Sequence, residues 1–286
     1  MKIGIVSAGA MGSAVGGALR EGGAEVVTTL AGRSGRTARL ARDAGVDCLP
    51  DLDAVVARAD VVLSIAPPDQ AESIAADLAA AAARTGETTL VADLNAVSPA
   101  TAKRIEAALA AARLELVDGS ISGPPPKAAG TTRIYLSGAR AAELEALPFS
   151  GVDVIRVGDE VGTASAVKMC TASVYKGSVA LLAHALMTAR ANDVLAHVLD
   201  DLGEAPDGAA LRVARSATKA HRYVGEMREI AATQAAAGLT PALFDAMAEV
   251  YEALSRRDLA GSAPEAVDAG LSIEDVLGQL APEPAG

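Results

Sequence analysis

Tryptophan is missing from this chain of 286 residues, and phenylalanine occurs only twice. Four tyrosines complete the aromatic set, so a hydrophobic share of 51% must come from Ala, Val, Leu and Ile. Such small side chains favour close packing of helices. Cysteine is scarce as well. Cys48 and Cys170 stand alone, without the spacing of a metal site or disulfide framework, which fits a reducing compartment. The three histidines, His184, His197 and His221, are scattered, so no metal is expected. The Ala-rich runs at 74–83 and 178–187 are too short to span a bilayer. Basic residues are not in excess either. A formal net charge of −11 argues against nucleic acid or an anionic membrane as partner, but leaves room for a local cationic pocket. The first residues already read as a fold-forming strand with no space for a signal peptide, and a soluble cytoplasmic protein is expected.

What is there begins at residue 1. The segment MKIGIVSAGAMG places Ile3, Ile5 and Val6 in a short buried strand, then turns through Ser7, Ala8, Gly9, Ala10, Met11 and Gly12 into a helical stretch at 13–20. Strand, small-residue turn and helix start, in that order, form the architecture that holds a dinucleotide pyrophosphate. Gly9 admits the phosphates without a Cβ in the way, Gly12 brings helix and strand close, and the helix N-terminus offers N–H groups to the anion. Ser7 occupies the place of the first glycine in G-x-G-x-x-G, so the motif is imperfect.

Two textures follow. Up to residue 158, strand-like runs (2–7, 25–30, 60–66, 88–94, 115–118, 133–137 and 153–157) alternate with helical ones (11–20, 35–44, 70–82 and 99–112). This pattern implies a mostly parallel sheet with crossover helices, and the short connections at its end suggest an antiparallel extension. Beyond 158 no strand is evident. Residues 161–196 read as one long helix or two in series, and further helices are expected at 209–219, 224–236, 241–256, 263–269 and 273–280, with a frayed tail at 281–286. The fold class is therefore an α/β Rossmann-type domain at 1–158 followed by an all-α domain at 159–286.

The second strand leads into Ala31-Gly32-Arg33-Ser34-Gly35-Arg36-Thr37. NAD-specific proteins usually place a carboxylate here for the ribose hydroxyls. Arg33 and Arg36, with the Ser34 hydroxyl beside them, instead suit a 2′-phosphate, and NADP(H) is favoured over NAD(H). Ala66 and Pro67 shape a loop at the carboxyl edge of the sheet, where ligands bind in open α/β folds. Asn95, at the end of the next strand, either reaches nicotinamide or substrate or satisfies local backbone.

Three further segments carry a resemblance. Asp118-Gly119-Ser120-Ile121-Ser122-Gly123-Pro124 is similar to a D-A-P-V-S-G-G substrate motif, Gly130-Thr131 with Ser137-Gly138 follows it, and Gly162-Thr163-Ala164-Ser165-Ala166-Val167-Lys168-Met169 resembles a long interdomain helix. With the opening loop they resemble the 3-hydroxyacid dehydrogenase superfamily, which includes 3-hydroxyisobutyrate and 6-phosphogluconate dehydrogenases. Residues 219–231 look like a less-characterised branch of it, commonly labelled phosphogluconate-dehydrogenase-like, NAD-binding.

The resemblance implies roles. Lys168 matches the lysine that handles the substrate hydroxyl proton, and its apolar surroundings suit an amine poised near neutral pH. Ser122 and Gly123 would bind the substrate carboxylate. Pro124 replaces a glycine and lacks an N–H. Ala172, preceded by Thr171, stands where the superfamily has asparagine, and Tyr175, followed by Lys176, stands where phosphogluconate enzymes carry a proton-donating glutamate. Tyr175 is thus a second catalytic candidate, and Thr171, Lys176 and His221 are substrate-binding candidates.

The expected function is NADP-dependent hydride transfer, at the cleft between the domains, to or from a small hydroxy acid or its keto or semialdehyde form. An NADPH-dependent imine reductase and a cofactor-binding protein without turnover are the alternatives. The Ala-rich C-terminal helices suggest a homodimer in which each C-terminal domain supports the other's cleft.

Overall fold

Short β-branched runs bounded by glycine and polar turns become strands in the computed structural model, which describes residues 1–263 and 266–281. The chain divides into two compact units, Met1–Met169 and Cys170–Gly286. In the first, β1 (Lys2–Val6), α1 (Ala10–Glu21), β2 (Glu25–Thr29), α2 (Gly35–Asp43), β3 (Asp47–Leu49), α3 (Leu52–Arg58) and β4 (Val61–Ser64) form one half. After them come α4 (Ala71–Thr85), β5 (Leu90–Asp93), α5 (Pro99–Ala110), β6 (Glu115–Ser122), β7 (Thr132–Ser137), α6 (Ala141–Glu145) and β8 (Val152–Gly158). The unit ends in the first turns of α7 (Thr163–Ala191).

All eight strands lie in one sheet of order β3-β2-β1-β4-β5-β6-β7-β8. Strands β1 to β6 run parallel, β7 is antiparallel to β6, and β8 is parallel to β7. The order 3-2-1-4-5-6 is that of a doubly wound dinucleotide-binding fold, with its topological switch between β1 and β4. Alternate strand residues supply two cores. Ile3, Ile5, Leu63, Ala92 and Val117 pack with Val15 and Leu19 of α1 on one face. Val6, Val62, Val91 and Leu116 pack with Val55, Leu78 and Ile105 on the other. The period of two along each strand dictates this division.

The second unit contains the rest of α7 and α8 (Leu195–Asp201), α9 (Pro206–Ala217), α10 (Ala220–Ala236), α11 (Ala242–Ser255) and α12 (Ile273–Leu280), with no strand among its described residues. Alanines dominate its interior, including Ala180, Ala183, Ala209, Ala210, Ala214 and Ala217. The stretch expected as one helix or two is broken at Asp193, whose φ of 57° ends the helical path. Of the helix expected at 263–269, residues 264 and 265 lie outside the described ones and 266–269 form no α-helix. The tail at 282–286 is likewise outside them. Strand β3 and helices α3 and α6 were not expected, being only 3, 7 and 5 residues long. The first unit also runs past Gly158 to Met169, because the start of α7 is bonded to the sheet.

Close approach of α1 to β1 depends on Gly12, where an added Cβ would stand 2.4 Å from the carbonyl oxygen of Ser7. Backbone has to move to relieve that contact. Gly12→Ala is expected to destabilise the protein by about 1–3 kcal/mol, read as a lower urea midpoint, and an unchanged midpoint would contradict this packing.

Candidate cofactor and active site

The switch between β1 and β4 opens on the turn expected to hold phosphates. Ser7 adopts φ of 71°, the left-handed region in which a glycine costs nothing and an L-residue costs about 1–2 kcal/mol. Its conformation lets Ser7 O accept from Gly9 N at 2.8 Å and turns the chain into α1. Gly9 is the N-cap, no side chain caps the helix, and no acidic residue stands in its first turn. A Cβ built on Gly9 meets nothing within 4 Å. The helix therefore begins with N–H groups lacking intrahelical partners, those of Ala10, Met11 and Gly12 among them, beside the open space at Gly9. These residues fit a pyrophosphate, and Ser7 serves as a strained substitute for the glycine.

At the end of β2, Arg33 N donates to Leu30 O at 3.0 Å across a turn containing Gly32 at φ of 69°. The Ser34 hydroxyl accepts from Thr37 N at 3.2 Å and caps α2. Ser34 is thus partly committed to its own helix. Arg33 and Arg36 are exposed, and the Arg33 guanidinium has no hydrogen-bond or ion-pair partner among the described residues.

Asn95 is buried and its amide is spent on the protein. Its Oδ1 accepts from Ala66 N at 2.6 Å, and its Nδ2 donates to Ser64 Oγ at 3.0 Å and Asp93 Oδ2 at 3.1 Å. Its backbone N–H donates to Asp93 Oδ1 at 2.8 Å. Of the two roles open to Asn95, the structure fills the local one: it ties the loop of Ala66 and Pro67 to the end of β5. Burial pushes the Asp93 carboxyl up to about 7 against the lowering effect of the Asn95 hydrogen bonds, with the nearby Asp118 charge adding to the rise.

Lys168 is fixed from two sides. Its ammonium donates to the carbonyl of Ile121 at 2.7 Å, next to Ser122 and Gly123 at the end of β6. Burial holds its pKa below the usual lysine value. The helix carrying it is anchored by Asp118, whose Oδ2 accepts from Gly162 N at 2.9 Å, Ser165 N at 3.1 Å and Ser137 Oγ at 2.9 Å. Asp118 Oδ1 accepts from Ser165 Oγ at 2.6 Å. Ser120 Oγ adds a bond to Ala164 O at 3.0 Å. Gly123, at φ of 110°, has no room for a side chain, since a Cβ would lie 2.3 Å from Thr131 O. The anchoring roles of Asp93, Asp118, Ser120 and Ser165 were not read from the sequence. The polar residues at every second position of 118–122 were the signal available.

In the second unit, Thr171 is half-buried and Tyr175 is 74% exposed on α7. Lys176 forms an ion pair with buried Glu226, its Nζ lies 4.4 Å from the centroid of the Tyr223 ring, and its carbonyl accepts from Tyr251 Oη at 2.7 Å. His221 is exposed, so the polar group of 221, 222 and 226 divides, with Glu226 alone buried. No metal-type cluster of His, Cys, Asp or Glu occurs among the described residues, and none of the described helices is long and apolar enough to cross a membrane.

This fold and loop define a nicotinamide-dinucleotide-binding protein. The chain belongs to the family described as the NAD binding domain of 6-phosphogluconate dehydrogenase, matched over residues 2–149, and residues 189–254 match a domain of unknown function, DUF1932. Among solved structures, a conserved protein of unknown function with structural similarity to 3-hydroxyacid dehydrogenases is 29% identical, covering 92% of this chain and 100% of its own, with a TM-score of 0.64. The 3-hydroxyisobutyrate dehydrogenase of Mycobacterium tuberculosis, with L-serine, is 21% identical over 98% of both chains, with a TM-score of 0.66. An imine reductase variant from Myxococcus stipitatus in complex with NAD+ shares the fold at 17% identity over 98% of both chains, with a TM-score of 0.52.

Asp118→Ala removes the acceptor for two backbone N–H groups and two hydroxyls in a buried setting. It is expected to cost about 3 kcal/mol in chemical denaturation, with Asp118→Asn losing less. A loss below 1 kcal/mol for the alanine variant would contradict the anchoring role.

Proposed function

We propose that this protein is an NADP(H)-dependent oxidoreductase that moves a hydride between nicotinamide and a small hydroxy acid or its keto or semialdehyde form. The observation that carries the reading is the half-buried Lys168 ammonium, bonded to Ile121 O beside Ser122 and Gly123. The bound nicotinamide supplies or accepts the hydride. Lys168 manages the accompanying proton: as a neutral amine its Nζ takes the carbinol proton, and as ammonium it returns one to the carbonyl oxygen. The Ser122 hydroxyl and Gly123 N–H orient the substrate carboxylate. The α1 N-terminus holds the pyrophosphate through the N–H groups of Ala10, Met11 and Gly12, and Arg33 and Arg36 hold a 2′-phosphate.

A lysine with a depressed pKa gives the rate a defined direction with pH. Oxidation rises as pH climbs through the Lys168 pKa, which lies below 10.5, and reduction falls over the same interval. Lys168→Ala is expected to lower kcat by about 10²–10⁴-fold with cofactor affinity retained. Lys168→Arg gives no rescue, because guanidinium does not release its proton. Steady-state assays on keto acids, semialdehydes and cyclic imines check this. Turnover confined to imines and surviving Lys168→Ala would transfer the reading to an imine reductase, and tight NADPH binding without turnover on any class would make it a binding protein.

Specificity for NADP(H) is tested separately. Arg33→Ala is expected to weaken NADPH binding about tenfold while leaving NADH binding nearly unchanged, and equal effects on both would refute the phosphate assignment.

We also propose a subunit contact at Tyr175. Val174 and Leu181, seven residues apart on one face of α7, expose 66% and 65% of their surface, and Tyr175 beside them exposes 74%, an apolar area suited to cover by a second copy. Solution scattering is expected to show a dimer that Leu181→Glu weakens, and a monomeric wild-type protein would exclude it.

A further inference from the structure

The carboxyl rim of the sheet carries a row of buried polar residues. Ser64, Asp93, Asp118 and Ser137 are successive register partners across β4, β5, β6 and β7, and each is at most 3% exposed. Asp118 serves the start of α7. Asp93 faces the other way along the row, and its bonded neighbour is Asn95, which spans from β5 to the backbone of Ala66 beyond β4. The peptide of Ala66 is thus held by a side chain whose own orientation is held by a carboxylate.

We propose that Asp93 is a positioning residue for the cofactor loop: through Asn95 it sets the peptide of Ala66, so that cofactor affinity depends on the charge of a carboxylate that does not touch the cofactor. This rests on the assignment of a nicotinamide cofactor to this rim.

The chemistry gives the dependence a sign. An ionised carboxylate is an acceptor at both oxygens, matching the two Asn95 donors at 2.8 and 3.1 Å. With Nδ2 held by Asp93 and Ser64, Oδ1 is turned onto Ala66 N. Protonation puts a hydrogen on one carboxyl oxygen, removes an acceptor for Asn95, and loosens the amide that fixes the loop. The charged group acting on Asp93 is Asp118 from β6, and Ser64 contributes a hydroxyl from β4. With the Asp93 carboxyl at about 7, the change falls within the physiological range. The linkage is reciprocal: if the cofactor binds the ionised form tighter, it must also draw the Asp93 titration downward.

The test is NADPH binding to the full-length protein by calorimetry between pH 5.5 and 8.5, for wild type, Asp93→Asn and Asn95→Ala, with the Ala66 amide followed by NMR. The ratio of wild-type to variant affinity cancels the titration of NADPH itself. Wild-type affinity is expected to fall about tenfold more than that of Asp93→Asn on acidification, the equivalent of a one-unit shift in the Asp93 midpoint. The wild-type Ala66 amide shift should titrate near pH 7, and neither variant should show that titration. Should Asp93→Asn fail to fold, Asn95→Ala leaves Asp93 in place, breaks the same link, and is expected to lose the same pH step. A wild-type profile parallel to that of a folded variant overturns this proposal alone. A wild-type protein that binds neither NADPH nor NADH overturns the functional reading along with it.

Discussion

The chemistry of this chain depends on how one buried carboxylate is satisfied. Asp118 is 1% exposed and would be costly to hold there as an isolated charge. It receives four donors instead: two backbone N–H groups at the start of a 29-residue helix and the hydroxyls of Ser137 and Ser165. Orphan N–H groups and the positive end of the helix dipole are the environment a carboxylate needs, so α7 and Asp118 satisfy one another. Lys168 lies within the first two turns of that helix. Its ammonium reaches the carbonyl of Ile121, three residues after Asp118 on the same strand. One strand thus both anchors the helix and receives the lysine it carries.

The order of elements was legible because it is written in periodicity. Val6, Val62 and Val91 alternate with Ile5, Leu63 and Ala92, and the two sets divide between the faces of the sheet. Elements that the sequence hid, β3, α3 and α6, are too short to show a period. The turn after β1 stood out by its small residues, and Lys168 by its place in a motif that resembles the superfamily's. What escaped was the supporting shell. Asp118 and Ser165 are 47 positions apart, and Ala66 and Asn95 are 29 apart, so only the strand order brings them together. Nothing in the local sequence distinguishes an asparagine that meets a ligand from one that ties two strands.

The second unit shows where helical spacing misleads. His221, Arg222 and Glu226 lie within two turns of α10, but five residues rotate the helix by about 140° from His221 to Glu226. Their fates separate accordingly: His221 and Arg222 are exposed, whereas Glu226 meets Lys176 inside. Tyr223 and Tyr251 pack edge to face with centroids 5.2 Å apart, and the Lys176 ammonium lies over the Tyr223 ring. In a unit where alanine is the commonest buried residue, this aromatic and charged cluster joins α7, α10 and α11. Small side chains fill space without fixing register, and a paired buried charge supplies that specificity.

Asp93 and Asp118 are neighbours on adjacent strands, yet their surroundings assign them opposite tasks. Asp118 draws donors from a helix end and two serines, a set that fixes the carboxylate in place. Among the described residues Asp93 has the two donors of Asn95, and it faces the negative charge of Asp118 from the next strand. The charge that secures the helix carrying Lys168 is therefore one cause of the raised pKa of Asp93. One polar row of the sheet thus ties down the helix of Lys168 through Asp118 and the Ala66 loop through Asp93 and Asn95. One end of the row is the carboxylate with four donors, and the other is the carboxylate with two.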